Sequence, residues 1–302
     1  MPRSVEGSSL TLTERKTKMK LGVISDCFKK PMGESIEMAA ALGLDGIQMY
    51  AVSGDICPDS LLGSPEKISE YKRLLSDNGL VVSALCGDLG GHGFEIAAEN
   101  PERIEKTCRI VDLACEFDTK VVTTHIGVIP EDTASEKYRV MLDAVSKCGE
   151  YAAKRGVTLA IETGSETAPI LYGFVKATEK GVGVNLDPAN FVMVTGQDPV
   201  EAVYILRDYI VHTHLKDGKR LRVSDPVEIY RSFAEGGIEA LNVADYFIET
   251  PVGEGDVDFS GYIAALREIG FDGFLTIERE TGADPSADIK KAAEYAKANF
   301  GL

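Results

Sequence analysis

The chain has 302 residues, 44% of them hydrophobic, with 32 Lys and Arg against 48 Asp and Glu and a formal net charge of −16. That balance opposes a nucleic-acid partner, because binding a phosphate backbone relies on Lys and Arg. No apolar run nears the roughly 18 residues that read as a membrane span, so no membrane association is expected. Residues 1–18, MPRSVEGSSLTLTERKTK, lack the apolar segment of a secretory signal and read as a tail ahead of the first strand. The six cysteines, at 27, 57, 86, 108, 115 and 148, show no CxxC spacing. They read as reduced core thiols of a cytoplasmic protein, with Cys108 and Cys115, two helical turns apart, expected at buried positions.

From residue 19 onward, strand and helix patterns alternate. Strands are predicted over Lys20–Ser25, Gly46–Tyr50, Val81–Cys86, Lys120–His125, Val157–Glu162, Val182–Asp187, Ile210–Leu215 and Phe274–Glu278. Between them run amphipathic stretches such as RIEKTCRIVDLACEF and FSGYIAALREIG, and Gly43, Gly79, Gly156 and Gly270 stand where helix C-caps belong. Strand followed by helix eight times predicts an α/β fold, a single (β/α)8 TIM barrel over residues 19–302, whose sites form at the carboxyl ends of the strands. An open doubly wound sheet has less support, because SDCFKKPMG, not a glycine-rich phosphate loop, follows the first strand. The connection over residues 216–256 is too long for a simple βα loop and carries a helical piece near Val227–Ala234. Such a segment is expected to lie over the catalytic face and shape substrate access.

Four short apolar runs in the second half each end in a residue able to bind a cation: Glu162 in LAIET, Asp187 in VGVNLDPAN, His214 in IVHTHLKD and Glu278 in GFLTIERE. Successive strand residues point to opposite faces. Counting back, Ala160 shares a face with Glu162, Gly183 and Asn185 with Asp187, His212 with His214, and Thr276 with Glu278; the bulky aliphatics lie opposite in all four runs. A closed barrel would bring these strand ends together. Two glutamates, an aspartate and a histidine, with room for water, suit one divalent ion such as Mn, Mg, Co or Zn. Each element alone has a bland reading: Asp187-Pro188 is a good helix N-cap, a strand histidine is commonly a bonded core residue, and a terminal glutamate is commonly a solvated rim residue. Four coincidences at four consecutive predicted strand ends favour the metal site. His212 is expected one layer deeper in a supporting role, His125 at a strand mouth beside substrate or metal-bound water, and His92, in DLGGHGF, on a loop that borders substrate.

LAIET, NLDPAN, HTHLKD and the stretch TPVGEGDVDFSGYIAALREIGFDGFLTIERE carry a family resemblance. Over about residues 19–300 the chain resembles the sugar phosphate isomerase/epimerase family of xylose isomerase-like barrels. That family includes ketose 3-epimerases, inosose dehydratases, hydroxypyruvate isomerases and, more distantly, abasic-site endonucleases. The resemblance implies one divalent cation held by Glu162, Asp187, His214 and Glu278, with Glu162 and Glu278 as the proton-transferring pair. It also implies a substrate contact from Arg220, six residues beyond His214. Two departures stand out: Asn190 replaces a histidine of the tagatose-type epimerases in the substrate site, and Ala168 replaces a sugar-binding glutamate, with Glu166 near but displaced. The expected activity is a metal-dependent sugar or sugar phosphate isomerase or epimerase working through an enediolate on a small-molecule carbohydrate. Dehydration of an inosose-type polyol, and a sugar-binding barrel without catalysis, are the alternatives; assembly into a homo-oligomer is left open.

Overall fold

Among the described residues, ten strands follow one another as β1 (Lys20–Ile24), β2 (Gly46–Tyr50), β3 (Val81–Cys86), β4 (Val121–Thr124), β5 (Thr158–Glu162), β6 (Val182–Leu186), β7 (Ile210–Leu215), β8 (Asp217–Arg220), β9 (Phe247–Thr250) and β10 (Phe274–Ile277). A computed structural model of the chain describes residues 19–237 and 241–302; the tail expected over 1–18 lies outside the described residues. Eight strands close a barrel in the order β1-β10-β7-β6-β5-β4-β3-β2, every pair parallel. These are the eight predicted strands, each within one residue of its expected bounds.

Helices such as Asn100–Glu116, Glu136–Ala153 and Phe259–Glu268 pack outside the barrel. The outward strand residues, among them Val23, Ile47, Leu159, Val184, Leu215, Leu275 and Ile277, are wholly or almost wholly buried beneath them. This shell between sheet and helices is the apolar core, and its burial is the main favourable term of folding. Gly43, Gly79, Gly156 and Gly270 have φ between 62° and 79°, as C-caps in the left-handed region require. Inside the barrel the floor is closed by the Phe274 ring, which presses on Gly46 so closely that a methyl group there would collide with it. Above that floor the inner layer is polar. Gln48 donates from Nε2 to Thr123 Oγ1 at 3.2 Å, and its Oε1 lies 2.9 Å from His212 Nε2. Thr276 Oγ1 stands 2.9 Å from the same nitrogen, so these buried polar groups satisfy one another.

In its described residues, the long connection between β7 and β10 carries regular structure. β8 and β9 pair antiparallel, Asp217 opposite Thr250 and Arg220 opposite Phe247, with the helix Pro226–Ala234 between them in sequence. Asp217 fastens the far end: its carboxylate accepts from the amides of Gly218, Gly253, Gly255 and Val257 at 2.8–3.2 Å. Arg279, almost wholly buried, adds a second tie by donating to Glu249 on β9 at 2.8 Å and to Asp288 on the last helix at 3.0 Å.

One cysteine expectation fails. Cys115 is exposed and Cys108 only partly buried, while Cys27, Cys57, Cys86 and Cys148 are buried. The buried stripe of their helix runs through Thr107, Ile110, Val111 and Ala114. Cys108 and Cys115 each follow that stripe by one residue, about 100° farther round the helix.

Candidate metal and active site

At the carboxyl ends of β5, β6, β7 and β10, ligand atoms of Glu162, Asp187, His214 and Glu278 lie within 4.8 Å of one another. His214 Nδ1 is 2.6 Å from Glu278 Oε2, 3.5 Å from Asp187 Oδ2 and 3.6 Å from Glu162 Oε1. Despite this proximity, Asp187 Oδ2, His214 Nδ1 and Glu278 Oε2 are buried without a hydrogen-bond partner. Polar atoms left this way are costly, and here three converge. Octahedral ligands on bonds of about 2.1 Å are spaced by roughly 3.0 to 4.2 Å, close to the separations seen. The donor set and its orphaned atoms therefore fit a divalent cation.

Asp187 follows β6, whose parity turns it inward, and it also starts the turn Pro188–Asn190. Its Oδ1 caps that turn, accepting from Ala189 at 2.8 Å and Asn190 at 3.1 Å, and leaves Oδ2 for the cluster. Cap and candidate ligand are thus one side chain. Asn185, one inward position earlier, places Nδ2 3.2 Å from Glu162 Oε2 and 3.1 Å from His214 Nε2.

Lys216 is the group missed at the sequence level. Its side chain is only 6% exposed, and Nζ donates to Glu278 Oε1 at 2.9 Å and Glu280 Oε2 at 3.1 Å. Carrying the β7 parity two residues past His214 would have found it. Electrostatics separates the two glutamates. Burial pushes Glu162 up to about 7, against the pull of His214 and His125. Burial also works to raise Glu278, but Lys216 and His214 overrule it and hold this carboxyl below the usual range. For His214, burial opposes the charge while Glu278 and Glu162 raise its pKa well above the ordinary imidazole value. His212, one layer down, is held well below it by burial and then by His214, so it stays neutral in its bonds to Gln48 and Thr276.

A cavity of about 910 Å³ opens above the cluster, and Glu162, His214, Lys216 and Glu278 reach its surface. His125, His92 and Asn190 stand on its wall. His125 Nε2 is 3.7 Å from Glu162 Oε1, and its ring meets Tyr230 edge-on at 5.7 Å. Asn190 donates to Thr163 O at 3.0 Å. The structure does not bring Arg220 to this wall. Parity along β8 sets Arg220 with Gly218 on the face packed over Met193 and Gly196, and its Nη1 donates to Thr195 O at 3.1 Å. Tyr230, from the helix of the long connection, rests its hydroxyl on Gly164, where any side chain would strike it.

A profile described as xylose isomerase-like TIM barrel matches residues 36–299, and the chain belongs to that family. L-ribulose-5-phosphate 3-epimerase UlaE of Escherichia coli (strain K12) is 24% identical over 279 residues, spanning 88% of this chain and 89% of the relative. Among solved structures, a xylose isomerase domain protein from Planctomyces limnophilus superposes with a TM-score of 0.75 at 24% identity, covering 95% of this chain and 100% of that one. A xylose isomerase-like TIM barrel protein from Mycobacterium smegmatis in complex with magnesium gives 0.66 at 19% identity, covering 92% and 95%. These likenesses bear on the fold.

Proposed function

We propose that the chain is a divalent-cation-dependent sugar isomerase or epimerase that moves a proton at a carbon next to a carbonyl. The observation that carries this reading is the convergence of Glu162, Asp187, His214 and Glu278, with three orphaned donor atoms, beneath a cavity. A 3-epimerase among the relatives, which inverts a carbon beside a ketose carbonyl, supports the same chemistry. A cation held by these four residues would act as a Lewis acid on the carbonyl and hydroxyl oxygens of a bound sugar.

The chain's own residues then divide the proton work. Glu162 and Glu278 leave strands separated by β6 and β7, so they reach a substrate from different sides. One takes the proton to give an enediolate, and the other returns one. Lys216 holds Glu278 in place and ionised, while His125 stands beside Glu162 as its proton neighbour. Asn190 and His92 border the sugar, and Tyr230 closes the space over Glu162 against water. Arg220, bonded to Thr195 O, supports the turn under the cavity wall in place of a sugar contact.

The test is solvent exchange. The protein is incubated in heavy water with Mn and a panel of ketoses, ketose phosphates and methyl 3-keto-glucoside, and the carbon next to the carbonyl is followed by NMR. Deuterium is expected there, and Glu162→Gln or Glu278→Gln is expected to slow its uptake by at least roughly 10²-fold, as for a positioned general base. Turnover that survives both variants would refute the assignment.

A further inference from the structure

We infer that the sugar taken by this site is uncharged and carries an apolar, aryl-like substituent: a keto-glycoside in preference to a sugar phosphate. The inference rests on the reaction proposed above and specifies its substrate. Its first support is an aromatic run leading outward from the cluster. His125 beside Glu162 meets Tyr230 at 5.7 Å, and Tyr230 meets Phe233 at 5.7 Å, both edge-on. Phe233 is 54% exposed, and Val227 and Ile248 on the same cavity wall are 47% and 41% exposed. Large apolar side chains left uncovered in a cavity mark where a ligand covers them. At about 910 Å³ the cavity lies toward the upper end of small-molecule sites and holds more than one sugar ring.

Its second support is that the cationic side chains on the cavity wall, among the described residues, are already engaged. Binding a phosphate takes cations or free amides that are not already engaged. Among the described residues on the cavity wall, the Lys and Arg side chains are Lys137, Lys216 and Arg231. Each is paired: Lys137 with Glu95 at 2.6 Å, Lys216 with Glu278 and Glu280, and Arg231 with Glu235 at 2.9 Å. On the glycine-rich turn at the mouth, Gly90 gives its amide to the Asp88 carboxylate at 2.9 Å. A phosphate dianion entering here competes with carboxylates for these cations; an aromatic ring meets Tyr230 and Phe233.

Titration calorimetry of the Mn-loaded full chain tests this with three probes: methyl β-D-glucopyranoside, phenyl β-D-glucopyranoside and glucose 6-phosphate. Phenyl glucoside is expected to bind at least about tenfold tighter than the methyl glycoside, a modest gain for a covered ring. Glucose 6-phosphate is expected to bind more weakly than either. Phe233→Ala, at a position 54% exposed, is expected to bring the phenyl affinity to within about twofold of the methyl. Equal affinities for the two glycosides, no binding of the phenyl glycoside, or tighter binding of the phosphate overturns the inference. Sedimentation of the same samples addresses a rival occupant. A dimer that Phe233→Ala dissociates, together with equal affinities, puts a second copy of the chain on this wall and also overturns it. The two readings fail separately: lost solvent exchange with the phenyl preference intact refutes the reaction, whereas exchange on a tightly bound ketose phosphate refutes only the substrate.

Discussion

Asp187 divides one carboxylate between two tasks, with Oδ1 on the amides of Ala189 and Asn190 and Oδ2 free toward the cluster. Asparagine caps helices about as well as aspartate. Asp187→Asn should therefore leave the chelated protein no less stable than the parent in a urea titration, since it also removes one of three crowded negative charges. Its Mn affinity by calorimetry should fall at least roughly 10²-fold, more than the loss of a residue that only supports a ligand. His212 gives a second residue-level test, through pH. Its folded pKa lies well below the ordinary value, so the unfolded chain takes up the proton first as the pH drops below about 6.5. The stability due to neutral His212 is complete above that pH and is lost as the pH falls toward the folded value, by at most about 1.4 kcal/mol per pH unit. In chelator, urea midpoints at pH 7 and pH 5 should draw together in His212→Asn relative to the parent. Equal pH slopes in the two proteins would count against a neutral buried His212.

At the scale of elements, most of the barrel was legible because its strands obey a two-residue period and its helices end on glycines. Glu162, Asp187, His214 and Glu278 were legible for the same reason: strand parity and a strand's carboxyl end are local properties that a closed barrel converts into a meeting point. What was not legible is non-local. The pairing of β8 with β9 joins residues about thirty apart through Asp217↔Thr250 and Arg220↔Phe247, and no periodic signal marks so short a hairpin. The place of Arg220 was not legible either, because an offset from His214 does not say which face of a hairpin the side chain takes. Lys216 was hidden by its composition: a lysine in KDGKRLR reads as solvated until Glu278 and Glu280, over sixty residues later, are known to surround it. Asp217 is the test of this element. Asp217→Ala leaves four amides, those of Gly218, Gly253, Gly255 and Val257, without their acceptor. A loss of about 3 kcal/mol is expected, read as a lower urea midpoint. Hydrogen exchange should quicken first at residues 217–220 and 247–257, and protection unchanged there would show that Arg279 alone holds the hairpin.

Across the whole molecule, the excess of acid weighs on the folded state, and three of its carboxylates, Glu162, Asp187 and Glu278, crowd together under the cavity. A divalent ion bound only by the folded chain stabilises it by about 2.7 kcal/mol at one hundred times its dissociation constant. Addition of Mn should raise the melting temperature by several degrees, and excess chelator should reverse it. The shift should vanish in Asp187→Asn. A shift of equal size in that variant would move the binding of the ion to other residues. Among the described residues no helix is long and apolar enough to cross a membrane.

The place of β10, between β7 and β1, sets an order on the making of this protein. A ribosome delivers Glu162, Asp187 and His214 in one stretch, then 278 − 214 = 64 further residues before Glu278. At about 5–20 residues per second that interval lasts several seconds. Throughout it, β1 is paired only with β2 and β7 only with β6, and each offers an open edge of the kind other chains pair with. A chain stalled within the long connection therefore lacks both its closing strand and its fourth ligand. The insertion that seals the sheet also supplies Glu278, so a nascent chain acquires the complete ligand set only as it ceases to be sticky.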